Sequence, residues 1–151
     1  MGENIHGTAL RVGSYGILIR GAARSGKSSL CISLLRRAAS LSLDAGLISD
    51  DRVDLKRCEA NVIMSAPPVL MGLIEISGVG IIRETPTAPA ALSLIVDLVA
   101  AEDLMRLPEK TMQECELLGR AIRRIAVPRR DAAFTADVIL SLLTDDNLQV
   151  R

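Results

Sequence analysis

The chain has 151 residues, 49% of them hydrophobic, which suffices for one domain (residues 1–151) around a single core. Eighteen basic and eighteen acidic residues cancel, so no global field draws it to DNA or to an anionic membrane, and any bound anion must be held by local groups. Tyr15 and Phe134 are its only aromatic side chains, too few for the stacking platforms that single-stranded nucleic acid needs.

The first residues, MGENIHGTALRVG, lack the basic and apolar segments of a secretory signal, and His6 stands where a myristoylation signal has Ser or Thr. The longest apolar window, Ala88 to Ala101, is broken by Asp97 and too short to span a bilayer. Cys31, Cys58 and Cys115 lack the paired spacing of a zinc site. These features predict a soluble cytoplasmic protein whose thiols are reduced and mostly buried.

In chain order, a short strand is predicted at Ala9 to Val12 and a buried one in GILIRG, an apolar run between glycines. KSSLCISLLRRAAS has Leu30, Leu34 and Leu35 at helical spacing and basic residues near its end. AGLISDD is an apolar run ending in two carboxylates. RVDLKRCEANVIMSA alternates as a hairpin turning near Glu59 to Asn61. PPVLMGLIEISGVGII combines a proline-started turn with an apolar run, and ALSLIVDLV reads as a central strand. MQECELLG and RRIAVP pair as antiparallel strands, and DAAFTADVILSLL is a final amphipathic helix with Asp131 as its N-cap. The order predicts an α/β fold: a mixed β-sheet containing a phosphate loop and flanked by helices.

Gly21, Ala22, Ala23, Arg24, Ser25, Gly26, Lys27 and Ser28 match G-x-x-x-x-G-K-[ST] between a predicted strand and a predicted helix. Successive backbone N–H groups of such a loop wrap the β-phosphate of a nucleotide, its lysine reaches the β- and γ-oxygens, and its hydroxyl meets Mg²⁺. The alternative is a glycine-rich turn with a solvated lysine. Arg24 is the uncomfortable residue, because its long side chain must point outward for the loop to close. Asp50 and Asp51 end the next predicted strand, where one carboxylate serves Mg²⁺ or its waters and the other accepts a proton. Without the upstream loop, SDDR would be read as a polar turn.

IHGTAL, GILIRGAARSGKSSL, LISDDRVDL, SAPPVLMGLIEISGVGII and RLP together resemble the HPr kinase/phosphorylase family, in particular its short forms consisting of the catalytic domain alone. The resemblance implies that family's catalytic-domain fold, ATP and Mg²⁺ as cofactors, and transfer of phosphate to a serine of the phosphocarrier protein HPr, reversed in many members by phosphorolysis. It also implies a homo-oligomer, commonly a hexamer. By the same resemblance, Gly21 to Ser28 bind the nucleotide's phosphates, and Ser28 and Glu75 hold Mg²⁺, with Asp51 beside them. Asp50 is the general base toward the acceptor serine, His6 sits beside the aspartate pair, and Arg106 in MRLP matches the arginine of the phosphorylase step. A carboxylate at Glu75, inside an apolar run, would be costly to bury without a metal or partner. Ser77 stands where the family has arginine, Ala23 and Arg24 stand where it has Ser and Gly, and VPRRD shortens its basic loop. These departures predict weakened phosphorolysis with nucleotide binding retained. Two other readings stay open: a small-metabolite kinase, and a non-catalytic nucleotide-dependent sensor.

Overall fold

The structure, a computed structural model, describes residues 2–144. The chain runs through β1 (Gly2–His6), β2 (Thr8–Val12), β3 (Tyr15–Arg20), α1 (Lys27–Ser40), β4 (Ala45–Ser49), β5 (Arg52–Cys58) and β6 (Asn61–Ser65). It continues through β7 (Leu73–Ile76), β8 (Gly80–Arg83), β9 (Ala90–Val99), β10 (Glu114–Leu117), β11 (Arg120–Pro128) and α2 (Ala132–Thr144). Nine strands form one sheet in the order β1-β5-β6-β9-β3-β2-β4, and β11 with β10 branches from β9. The mixed α/β architecture is the one the sequence predicts.

The sheet divides at β9. Its first residues pair antiparallel with β6, its later ones pair parallel with β11, and its other edge runs parallel to β3. Gly16 faces Leu92 and Ile17 faces Leu94, so Ser93 is an extra residue that reverses the strand's alternation. Leu92 and Ile95 consequently enter one core, while Leu94, Val96 and Leu98 enter the other. At this crossing a Cβ on Gly16 would lie 2.2 Å from the Ala91 carbonyl oxygen, so only glycine fits.

Both helices cover one face. Leu30, Leu34 and Ala38 of α1 and Ala136 and Ile139 of α2 pack with Ile17, Ile19, Leu94 and Val96. On the other face the β1-β5-β6 wing brings Val53, Leu55, Val62 and Met64 against Ala9, Leu18, Ile48 and Ile95. Each such Leu, Ile, Val or Met side chain, almost wholly removed from water, contributes about 1.5–3 kcal/mol before entropy is counted. Burying β3 and β9 on both faces holds the strand ahead of the phosphate loop rigid from two sides.

Several expectations are corrected. The first strand was expected at Ala9, yet β1 precedes it. GENIH has no apolar alternation to reveal a strand, and it joins the sheet through antiparallel pairing with β5. The apolar run around Glu75, to which the sequence pattern assigns no element, forms a separate two-stranded hairpin, β7 with β8, turning through Gly78 at φ 83°. Only Cys31 of the three thiols is buried; Cys58 is exposed and Cys115 half-buried. The β5–β6 turn at Glu59 (φ 54°) lies where the sequence places it. The antiparallel partner of MQECELLG is instead Arg120–Arg123, at the start of β11, while RRIAVP runs parallel to β9, a non-local pairing that the apolar pattern does not reveal. Among the described residues, no helix is long and apolar enough to cross a membrane.

Candidate active site

β3 ends at Arg20 and the chain turns through residues 21–26 into α1. Gly26, preceding the helix, has φ 97°, a conformation glycine adopts without a Cβ penalty. No side chain caps the helix and its first turn holds no acid, so no side chain competes with an anion for its first N–H groups. Lys27 is largely buried, and its Nζ donates to the carbonyls of Gly21 and Ala22, each at 3.0 Å. Burial pulls its pKa below the ordinary lysine value, opposed by the charges of Asp50 and Asp51. A phosphate arriving here meets an ammonium already aimed across the loop.

The two aspartates leave β4 through a tight turn. The Arg52 N–H donates to the Asp50 carbonyl at 2.8 Å around Asp51, whose φ is 68°. A non-glycine residue in this region stores of order 1–3 kcal/mol of strain, which the surroundings must offset. Part of that offset is the Gly7 N–H, donating to the Asp51 carbonyl at 3.0 Å. The turn sends the two carboxylates apart. Asp51 is exposed and pairs with His6, Nε2 to Oδ1 at 3.3 Å, so of the two partners open to His6 the structure selects Asp51.

Asp50 points inward and is 6% exposed. Its Oδ1 accepts the Thr8 hydroxyl at 2.8 Å and the Ser28 hydroxyl at 2.9 Å. Its Oδ2 accepts the Glu75 backbone N–H at 3.0 Å, with Ser28 Oγ also 3.2 Å away. Three elements therefore fix one carboxylate: β2, the start of α1, and hairpin β7–β8. Sequence reading missed Thr8: a hydroxyl beginning a mostly apolar strand carries no mark of a partner 42 positions away. It also missed what the Glu75 backbone does.

Glu75 itself is exposed, which corrects the expectation of a buried carboxylate. The hairpin turns its side chain outward while Ile74 fills the core. It still borders the same cavity of about 380 Å³, with His6, Lys27, Ser28, Asp50 and Asp51. Ala23 and Arg24 line it too, whereas Arg106 lies in an exposed loop outside this lining. Among the described residues, no three His, Cys, Asp or Glu side chains cluster as a metal site. Mg²⁺ beside a nucleotide takes one or two protein oxygens and fills its shell with water and phosphate. Ser28 could supply such an oxygen, since its hydroxyl donates a hydrogen bond to Asp50 and leaves its lone pairs for a cation.

The sequence profile described as HPr Serine kinase C-terminal domain matches residues 1–151. An HPr kinase/phosphorylase of Clostridium tetani is 31% identical over 146 residues, covering 89% of this chain and 45% of that protein. One from Bordetella pertussis is 33% identical over 132 residues, covering 80% of this chain and 41% of the relative. The chain thus spans less than half the length of these curated relatives. Among solved structures, the Hpr(Ser) kinase/phosphatase from Coxiella burnetii superimposes with a TM-score of 0.80 at 27% identity, over 97% of this chain and 91% of that one. A loop, aspartate turn and hairpin converging on one cavity, on this fold and over this length of match, place the chain in the HPr serine kinase C-terminal domain family.

Proposed function

We propose that this chain is an ATP-dependent kinase that phosphorylates a serine of the phosphocarrier protein HPr. The observation that carries the reading is Asp50, a buried carboxylate on the wall of the cavity that also holds Lys27 and Ser28. A serine hydroxyl is a weak nucleophile at neutral pH and gains from a carboxylate that orients it and accepts its proton. The acceptor's Oγ forms a bond to the γ-phosphorus, the bond to ADP's β–γ bridging oxygen breaks, and the hydroxyl proton passes to Asp50. Lys27 offsets charge on the transferring group, which needs positioning and electrostatics more than covalent help. Ser28, with Glu75 or Asp51 at the rim, would hold Mg²⁺, which would supply further charge neutralisation. His6 orients Asp51 at that rim.

Phosphorolysis is the weaker activity in this reading. Ser77 at the cavity's edge is a neutral side chain, and Arg106 is outside the lining, so the reverse reaction has fewer cations with which to hold inorganic phosphate. The apolar side chains of Val69, Met71, Val79 and Ile81, each more than half exposed around the hairpin, support assembly into a homo-oligomer.

Labelled ATP, Mg²⁺ and HPr, assayed with the chain and with Asp50→Asn, test the proposal. Label on an HPr serine that disappears in the variant, while ATP affinity is kept, is the expected result. ATP binding without transfer to HPr overturns the assignment of substrate, and transfer that survives in Asp50→Asn overturns the role of Asp50. Rapid pyrophosphate release from phospho-HPr and phosphate would overturn the weak reverse reaction.

A further inference from the structure

One residue of the phosphate loop is held in a backbone conformation that does not suit it. Arg24 has φ 64°, in the left-handed region where a Cβ is disfavoured and glycine is the ordinary occupant. Arg130 fastens the loop there: its Nε donates to the Arg24 carbonyl and its backbone N–H to the Ser25 carbonyl, both at 3.0 Å. The Arg24 guanidinium is exposed and makes no ion pair among the described residues. Neither packing nor a salt bridge therefore accounts for an arginine at this position.

Its location does. Arg24 borders the phosphate cavity and also a neighbouring cavity of about 530 Å³, completed by Gly26, Ser29, Ser77, Arg130 and Ala132. The two differ in charge. The first sets three carboxylates, Asp50, Asp51 and Glu75, against Lys27 and Arg24. The second has two arginines and no carboxylate. A polyphosphate crossing from one to the other leaves a mixed field for a cationic one, and Arg24 stands at the crossing. Its planar fork of donors matches phosphate oxygens better than an ammonium would.

We propose that the Arg24 guanidinium binds the nucleotide's phosphate chain where it passes from the phosphate loop into the second cavity, which takes the nucleoside end. This rests on the reading of the site as an ATP-using one, and the test separates the two. Titration calorimetry with Mg²⁺ and ATP is run on the unaltered chain, Arg24→Gly and Arg24→Lys, beside melting curves without ligand. Arg24→Gly is expected to weaken ATP binding about tenfold, as loss of a charge-assisted contact does, with a melting temperature no lower, since glycine is at ease at this φ. Arg24→Lys recovers part of the affinity. ATP bound by Arg24→Gly as tightly as by the unaltered chain overturns the proposal and leaves the kinase reading standing. So does affinity lost only together with melting temperature, which would make Arg24 a structural residue. No ATP binding by the unaltered chain overturns the kinase reading, and the proposal with it.

Discussion

Asp50 and Asp97 are both largely buried, and the protein treats them in opposite ways. Asp97, on β9 opposite Arg20, accepts Arg20 Nε at 2.7 Å and Nη2 at 2.8 Å, and Arg124 Nε from β11. Two guanidinium groups surround one carboxylate, so its charge is spent within the fold. Asp50 has only neutral donors, two hydroxyls and an amide, while the nearby Lys27 directs its ammonium to loop carbonyls. Hydrogen bonds fix its position without a counterion attached to it. The proposed base role of Asp50 needs a carboxylate held in place without a fixed counterion, whereas one clamped by arginines ties strands together.

The contrast is broken most sharply by removing each charge in turn. Asp50→Asn keeps the shape and an oxygen for Thr8 and Ser28 but turns an NH₂ toward the Glu75 N–H, and should lower phosphotransfer by about 10²–10⁴-fold, the range for a lost general base, with a stability loss of about 1 kcal/mol. Asp97→Asn should do the reverse. It leaves two partly buried arginines without their counterion and should cost about 3 kcal/mol in denaturant unfolding, with ATP affinity retained.

The acid limb of stability sharpens the same comparison. Burial on its own would raise the Asp97 pKa, but hydrogen bonds and charge from Arg20 and Arg124 outweigh it, so the folded value lies below the ordinary one. A carboxylate whose folded pKa is depressed contributes fully above its unfolded pKa, about 3.9, and loses that contribution as pH falls through the folded value. The stability gap between the unaltered chain and Asp97→Asn should therefore be constant near neutrality and narrow below about pH 4, measured by urea unfolding at each pH. A gap that stays constant through that range would mean the arginines do not hold the carboxylate ionised.

A smaller effect probes how Asp50 is held. Thr8→Val keeps the shape of a wholly buried side chain but removes the hydroxyl that reaches Oδ1. Loss of one hydrogen bond to a charged group, about 1.5 kcal/mol, should lower kcat roughly tenfold with KM for ATP little changed, and Thr8→Ser should restore most of it. A loss shared equally by Thr8→Ser would point to packing at this position.

How much of this was legible in the sequence follows from the range of the interactions. The strand, loop and helix around Lys27 could be read because their signals lie within a dozen residues: glycines, an apolar run and helical spacing. Asp50 was legible from its place at the end of an apolar run. Thr8 was not, because its partner is 42 positions away and nothing local marks the pairing. Glu75 was found for its side chain, whereas the structure shows its backbone N–H on Asp50, and a backbone contact leaves no trace in residue type. β1 was missed because edge pairing asks nothing of side-chain polarity. Arg24 was legible as awkward, but the two cavities it borders, on which its proposed contact rests, were not.

The smallest expected effect tests whether the hairpin that supplies the Glu75 amide is fastened from outside. Arg36 of α1 and Glu84, just after β8, form a two-pronged pair at 2.6 and 3.0 Å, and the Glu84 N–H donates to the Gly72 carbonyl at 2.9 Å, closing the hairpin's base. Arg36 is 60% exposed, so the pair is screened and Glu84→Gln should lower global stability by no more than about 1 kcal/mol. Its local effect should be easier to see. The hairpin is a two-stranded sheet outside the main one, held by Ile74 in the core, by the half-buried Ile76 and Ile82 packed against it, and by the Asp50 contact, with no strand pairing to the main sheet among the described residues. Loosening its base should speed hydrogen exchange at the Glu75 amide several-fold while amides of β3 and β9 exchange as before. If the amides of all three strands speed up together, the hairpin is part of the main cooperative unit, and Asp50 is held by the fold as a whole rather than by a clamp that can be loosened separately.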